Sequence, residues 1–379
     1  MAPGLTLLRM NPRPFSSPKS VSSTQQIPCP ASLDPNFCPE CADRSGAANP
    51  LGRRDFIRVV AGGAVGMMTG SSLLANRAIG AAPEAKARTA KPAESLVREF
   101  FASLTPEQKK AVVMPWAHGT EKGGIPTRLK THNAAPLGKR LGEQFTKPQQ
   151  ELIRATFKAI LSGEEAYERI TRHGKWDNAG SFEGNGVAIF GDPSGREPFS
   201  WVFAGHHLTL RCDGNSQPNA AFGGPMYYGH SANGHSPTNV YNYQTKQVAT
   251  VFEMLNEQQR KLAVVVGEPG DGPAALKPRL VAKPPAGISY AELEPSQRTL
   301  VAGVMRTLLD PFRKEDGDEV MQILQTNGGI EKLRLAFYKE TADQKDGRWD
   351  YWRLEGPGFI WNYRVLPHVH CFVDIVGQA

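Results

Sequence analysis

Two short stretches hold four of the nine histidines of the 379-residue chain, and both are rich in residues that favour extended backbone. Trp201–Arg211 reads W-V-F-A-G-H-H-L-T-L-R, and Leu366–Ile375 reads L-P-H-V-H-C-F-V-D-I. Such runs demand a sheet, because a strand needs neighbours for its backbone and cover for its apolar side chains. Alternation puts His368, His370, Phe372 and Asp374 on one face of the later run, with Val369, Cys371, Val373 and Ile375 on the other. The second face is the expected core and the first holds the chemistry. Read as one strand, the earlier run puts Val202, Ala204, His206, Leu208 and Leu210 on an apolar face. Phe203, Gly205, His207, Thr209 and Arg211 form the more polar one. His207 is then the better partner for His368 and His370, and a bulge at Gly205 would turn both imidazoles to one site.

Two imidazoles at i and i+2, joined by a third from another strand, make a three-nitrogen face for a divalent transition metal such as zinc, copper, iron or manganese. The expected ligands are His206, His207, His368 and His370, with Glu355 or Asp374 as acid/base group or further ligand. Bonds of about 2.1 Å to a common centre would hold nitrogens from both runs within roughly 3–4 Å of one another. A solvent-reachable site of this kind activates water or binds oxygen. The competing readings are a buried polar network that orients loops, and metal-free acid/base catalysis.

Helices are announced by a recurring device. Thr105-Pro-Glu-Gln108, Thr146-Lys-Pro-Gln149, Asn256-Glu-Gln-Gln259 and Glu294-Pro-Ser-Gln297 each precede an apolar pattern of helical period, and three of them have the residue types of a capping box. Their uneven spacing excludes a solenoid; they are similar solutions to one packing problem, with two halves as one grouping. The periodicity predicts helices over 93–103, 106–114, 147–161, 257–266, 295–309, 316–325 and 328–340. Strands are predicted over 186–191, 201–211, 349–355, 359–365 and 368–375. The expected class is α+β: a mixed or antiparallel sheet carrying the histidine strands, packed with capped helices. The Gly-, Asn-, Ser- and Pro-rich segment 214–239 reads as a long loop, either a wall of the site or a plain surface excursion. Trp201, Trp349, Trp352 and Trp361 suit a core better than a ligand pocket.

The N-terminal part has its own logic. Arg53-Arg54-Asp55-Phe56 precedes a glycine- and alanine-rich apolar run from Val59 to Ala75, the pattern of a twin-arginine export signal read by the machinery for folded cargo. That run is shorter and less apolar than the ~20 residues of a membrane span, so no span is expected in the mature protein. The organisation read from the sequence is a disordered leader over 1–52, the signal over 53–82, a linker over 83–92 and one α+β domain over 93–379, placed in the periplasm or outside the cell. Cys29, Cys38 and Cys41 of the leader form too incomplete a set for structural zinc.

Removing residues 1–82 leaves 36 Lys and Arg against 33 Asp and Glu, about +3 where the full chain carries +7. With no basic stripe or recognition module, nucleic acid is not an expected partner. No nucleophile elbow, phosphate loop, dinucleotide fingerprint or His-Glu-x-x-His helix is present. Only Cys212 and Cys371 remain in the mature chain, each near a ligand run, and they are expected close together.

Several separated motifs stand in order: Phe100-Phe-Ala-Ser-Leu-Thr-Pro-Glu-Gln108, Ile189-Phe-Gly-Asp-Pro-Ser194, Phe203-Ala-Gly-His-His-Leu208 after Trp201, Phe222-Gly-Gly-Pro225, Tyr351-Trp-Arg-Leu-Glu-Gly-Pro357 and His368-Val-His370. In these the chain resembles domain-of-unknown-function family 3500, from about Glu99 onward. The resemblance implies that the Gly-His-His-Leu, Glu-Gly-Pro and His-x-His runs share one domain, and it brings no activity with it. Two functions therefore follow from the residues: an exported metal-dependent enzyme, hydrolytic or oxidative, or an exported binding or scaffold protein whose histidines form a polar network. A small molecule or glycan is the expected ligand in either case.

Overall fold

The capping device is present at all four predicted helix starts. Thr105, Thr146, Asn256 and Glu294 donate their backbone N–H to Gln108, Gln149, Gln259 and Gln297 at 3.0, 3.0, 3.1 and 2.8 Å. Each glutamine then does more than cap. Gln108 and Gln149 exchange amide hydrogen bonds, both 2.9 Å, and Gln259 and Gln297 do the same at 2.8 and 2.7 Å. A third bond ties Gln149 to the Ser103 carbonyl and Gln297 to the Met254 carbonyl, each 2.8 Å. Two helix starts and one helix end are thereby clamped together, twice.

These clamps belong to two matching halves, seen in a computed structural model that describes residues 92–272, 276–277, 284–339 and 349–377. The leader, the signal with Arg53 and Arg54, and Cys29, Cys38 and Cys41 lie outside the described residues. The first half runs α1 (Ala93–Ser103), α2 (Pro106–Val112), β1 (Val113–Met114), α3 (Leu141–Gln144), α4 (Lys147–Ala159), α5 (Glu164–Ile170), β2 (Gly186–Gly191), β3 (Phe199–Gly205), β4 (Leu208–Cys212) and β5 (Met226–His230). The second runs α6 (Asn242–Met254), α7 (Glu257–Ala263), β6 (Val264–Val266), β7 (Ile288–Ser289), α8 (Pro295–Leu309), α9 (Lys314–Thr326), β8 (Arg334–Lys339), β9 (Tyr351–Gly356), β10 (Phe359–Arg364) and β11 (Val369–Ile375). All strands join one mixed sheet in the order β1-β2-β3-β4-β5-β11-β10-β9-β8-β6, with β7 beside β8. The order reads alike from both ends: a parallel pair at each edge, β1 with β2 and β6 with β8, and antiparallel pairs between. Trp201 of β3 and Trp352 of β9 are counterparts, paired with Ile189 and Phe337. At the centre, Met226 of β5 pairs with its own counterpart, Val373 of β11.

One sheet face meets the helices in a continuous core containing Trp201, Phe203, Tyr228, Trp352, Trp361, Cys371 and Val373. On the opposite face lie Leu137, which follows β1, and Leu276, which follows β6. Leu137 packs near Ala188, Phe190 and Val202, and Leu276 packs on Tyr227, Ile360 and Phe372. The predicted division of β11 holds: Val369, Cys371, Val373 and Ile375 join the main core, and Phe372 faces the other way. The tryptophans are core residues, Trp201, Trp352 and Trp361 fully buried and Trp349 nearly so.

Four expectations need correction. The run 201–211 is two strands joined by a tight turn at His206-His207, with Gly205 paired to Leu208; there is no bulge at Gly205. Among the described residues of 328–340 there is no α-helix, only a single 3-10 turn over Ile330–Lys332. Gly328 and Gly329, at φ 106° and 87°, break the chain, and β8 begins at Arg334. Segment 214–239 contains β5, a central strand that pairs with both β4 and β11. Cys212 and Cys371 are free and apart: β11 places Cys371 opposite Tyr228, which pairs with Leu208, four residues from Cys212 or about 13 Å along β4. No helix among the described residues is long and apolar enough to cross a membrane.

Candidate functional site

His207 is placed by an unusual turn. It sits at φ 55°, a left-handed conformation that costs a non-glycine residue about 1 kcal/mol. The turn is held from several sides. The His207 N–H donates to Asn133 Oδ1 at 2.7 Å, its carbonyl accepts from the Gly229 N–H at 2.9 Å, and the buried Arg172 guanidinium donates to the His206 carbonyl. Strain maintained by this much surrounding structure is typical of functional positions.

The turn lies beside the start of β11, so the two histidine runs meet. Ring centroids of His207 lie 4.8 Å from those of both His368 and His370, and the ligand nitrogens of the three lie within 4.8 Å of one another. The Nε2 atoms of His368 and His370 are closer, at 3.0 Å. His206, whose ring lies 3.8 Å from that of His207, belongs to a second group with His207 and Asp177. Its Nδ1 accepts the Asn178 N–H at 3.4 Å. The group is buried rather than open: His207, His368, His370 and His206 are 0, 2, 6 and 8 % exposed.

Two carboxylates fix the imidazoles. Asp177 Oδ2 lies 3.1 Å from His207 Nδ1, and Asp271 Oδ2 lies 2.9 Å from His370 Nδ1. A carboxylate accepts only, so in each neutral ring the proton sits on Nδ1 and the lone pair on Nε2. Each carboxylate also pairs with an arginine: Arg172 Nε with Asp177 at 3.1 Å, Arg364 Nη1 with Asp271 at 2.7 Å. The second Arg364 nitrogen, Nη2, lies 3.0 Å from His368 Nε2 and 2.7 Å from His370 Nε2. His230 stands 3.8 Å from the other Asp177 oxygen.

Burial favours the neutral form of His207 and His370. It pushes His207 well below the usual imidazole range, with the charges of His370, His206, His368 and Arg172 adding to the effect. Burial and the Arg364 charge lower His370 to about 4 against the opposing pull of Asp271. Asp271 itself is held well below the ordinary carboxylate range, because its bond to His370 and the Arg364 charge outweigh the cost of burial.

Glu355 and Asp374 are not brought to these imidazoles. Both pair with Ile360, on β9 and β11 respectively, and Asp374 is four residues, about 13 Å, along the strand from His370. Asp374 instead lies within reach of the Arg211 charge; burial raises its carboxyl to about 7 despite that charge. The residues that do complete the site, Asp177, Asp271, Arg172 and Arg364, were not singled out in the sequence. Arg364 carried a faint signal, since it opposes His370 in the hairpin of β10 and β11. The aspartates lie on connections far away in the chain and had none.

Residues 86–373 match the model of the family described as "Protein of unknown function (DUF3500)". No curated protein matches the chain, and no solved structure does.

Proposed function

The chain belongs to the DUF3500 family, and we propose that its histidine group holds a divalent transition metal in the service of a hydrolytic or oxidative enzyme. The observation that carries this reading is the pair of carboxylates on Nδ1 of His207 and His370, which puts the lone pair of each neutral ring on Nε2, the atom a metal would take. Carboxylate–histidine pairs of this kind orient the ring and raise its basicity toward a metal. His207, His368 and His370 would hold zinc, copper, iron or manganese, with His206 alongside. When bound, the ion supplies Lewis acidity or a low-pKa water. The chain's own contribution is to fix two tautomers, hold the His207 and His370 rings neutral and keep bulk water out.

One observation favours a second reading. Arg364 Nη2 sits against both Nε2 atoms of the His368–His370 pair, so the same residues also form a satisfied metal-free network, as a binding or scaffold protein would need. Elemental analysis of protein purified without chelators decides between them, with the His368→Ala/His370→Ala double variant as reference. About one equivalent in the wild type and none in the variant supports the metal; equal and negligible content in both leaves the network reading.

Export is part of the same proposal, supported by Arg53-Arg54 ahead of the apolar run Val59–Ala75. It implies passage through the twin-arginine machinery to the periplasm or beyond, where a small molecule or glycan would be met. Replacing both arginines by lysine should retain the precursor inside the cell; unchanged processing of that variant would remove the localisation.

A further inference from the structure

The end of α5 and the end of α9 are built alike and filled differently. Thr171 and Asn327 bond four residues back, to the carbonyls of Tyr167 and Ile323. Arg172 and Gly328 then bond three residues back, and His173 and Gly329 five back, to Glu168 and Leu324. Arg172 and His173 are thereby the counterparts of Gly328 and Gly329. All four are left-handed, at φ 56°, 55°, 106° and 87°. Glycine adopts such a backbone freely, whereas a larger residue is strained there.

Holding the neighbouring turn does not explain that strain. Both hairpins have two-residue turns, His206-His207 between Gly205 and Leu208, and Pro357-Gly358 between Gly356 and Phe359. Arg172 Nη2 donates to the His206 carbonyl, and Asn327 Nδ2 donates to the equivalent Pro357 carbonyl at 2.9 Å, from an unstrained backbone at φ −76°. A neutral amide thus does for one turn what the guanidinium does for the other. What the guanidinium adds is charge, and the charge meets a carboxylate: Arg172 Nε lies 3.1 Å from Asp177 Oδ2, the oxygen that stands 3.1 Å from His207 Nδ1. Nη1 is tied to the Ile170 carbonyl and Nη2 also reaches the His207 carbonyl at 3.5 Å, so the side chain, 1 % exposed, has little freedom to turn.

We infer that Arg172 is the positioning residue of His207. From one anchored fork it holds the backbone of the histidine turn and aims the Asp177 carboxylate at Nδ1, so that the ring proton stays on Nδ1 and the lone pair on Nε2. A planar guanidinium suits this double duty, since its nitrogens bond carbonyls and a carboxylate together. The role needs no bound ion.

The test reads the His207 tautomer by nitrogen NMR of the histidine-labelled, chelator-treated full chain, with the signals of that ring identified by their loss in His207→Gly. Arg172→Gln should shift the tautomer ratio toward Nε2–H by at least about tenfold, the weight of one charge-assisted hydrogen bond. Arg172→Lys, which keeps the charge without the fork, should fall between. Asn327→Ala is the reference for turn-holding alone: it should lower the urea midpoint and leave the His207 ratio unchanged. A wild-type ratio in folded Arg172→Gln would overturn the inference, and so would a wild-type ratio in Arg172→Lys should the glutamine variant not fold. An equal shift in Asn327→Ala would also overturn it, because the ratio would then report general loosening.

Discussion

Gly358 holds, in the β9–β10 hairpin, the place that His207 holds in the β3–β4 hairpin: both are the second residue of a two-residue turn, at φ 64° and 55°. Both carbonyls accept an equivalent bond, from Val376 N–H at 2.7 Å and Gly229 N–H at 2.9 Å. One half keeps the residue that the backbone prefers there, and the other keeps an imidazole at a cost.

That difference makes a paired prediction. Gly358→Ala should destabilise the protein by about 2–4 kcal/mol, since a Cβ there would lie 2.0 Å from the Val376 carbonyl oxygen at a φ unsuited to side chains. His207→Gly should cost far less stability, because relief of the turn offsets the lost contacts of the ring, yet it should abolish metal uptake. Urea melts beside metal analysis check both; a His207→Gly variant as unstable as Gly358→Ala contradicts the strain argument.

Removing the carboxylates behind the rings should weaken metal binding without removing a ligand. Asp271→Asn and Asp177→Asn are each expected to lower affinity by about 10- to 100-fold in a competition titration. Unchanged affinity in both would mean that the aspartates serve only the arginines.

The crossed glutamines should be worth the same in each half. Gln149→Ala and Gln297→Ala each strip partners from a buried amide and from a helix-end carbonyl, and each should cost about 2–3 kcal/mol in denaturant unfolding. A large asymmetry between the two would show that one clamp is dispensable.

Asp374 gives a pH dependence. Its folded carboxyl titrates near about 7, above the ordinary value, because burial outweighs the attraction of Arg211. The folded state therefore binds a proton that the unfolded chain has released, and stability falls as the pH rises from about 4 to about 7. Asp374→Asn should match the wild type near pH 4 and exceed it by about 2–4 kcal/mol at pH 8. Equal pH profiles for the two proteins would rule out this titration.

Legibility from sequence followed locality. The two faces of β11 and the four capped helix starts were readable because alternation and capping are short-range patterns carried by a few neighbouring residues. The convergence of His207 on His368 and His370 was readable from chemistry alone. The tight turn inside 201–211 was hidden, because His206-His207 lacks the Asn-Gly or Asp-Gly signature of a two-residue hairpin and the apolar run continues through it. β5 was hidden for the opposite reason: Met226–His230 lies in glycine-rich chain and is a strand only because β4 and β11 flank it. In 328–340, Leu333, Ala336 and Phe337 fit a helical spacing as well as a strand, and sheet pairing decided the matter. Helix α6 was passed over behind a loop-like stretch, and Asp177 and Asp271 reach the site only through tertiary structure.

The central pairing of Met226 with Val373 places the two halves about one axis. Counterpart residues that pair with each other lie on the axis relating the two halves, which is how two copies of one shorter chain would meet edge to edge. A tandem gene fusion of such an ancestral homodimer would yield this sheet order directly. It would also release one copy from duplicate chemistry, free to keep a glycine where its twin retained a histidine.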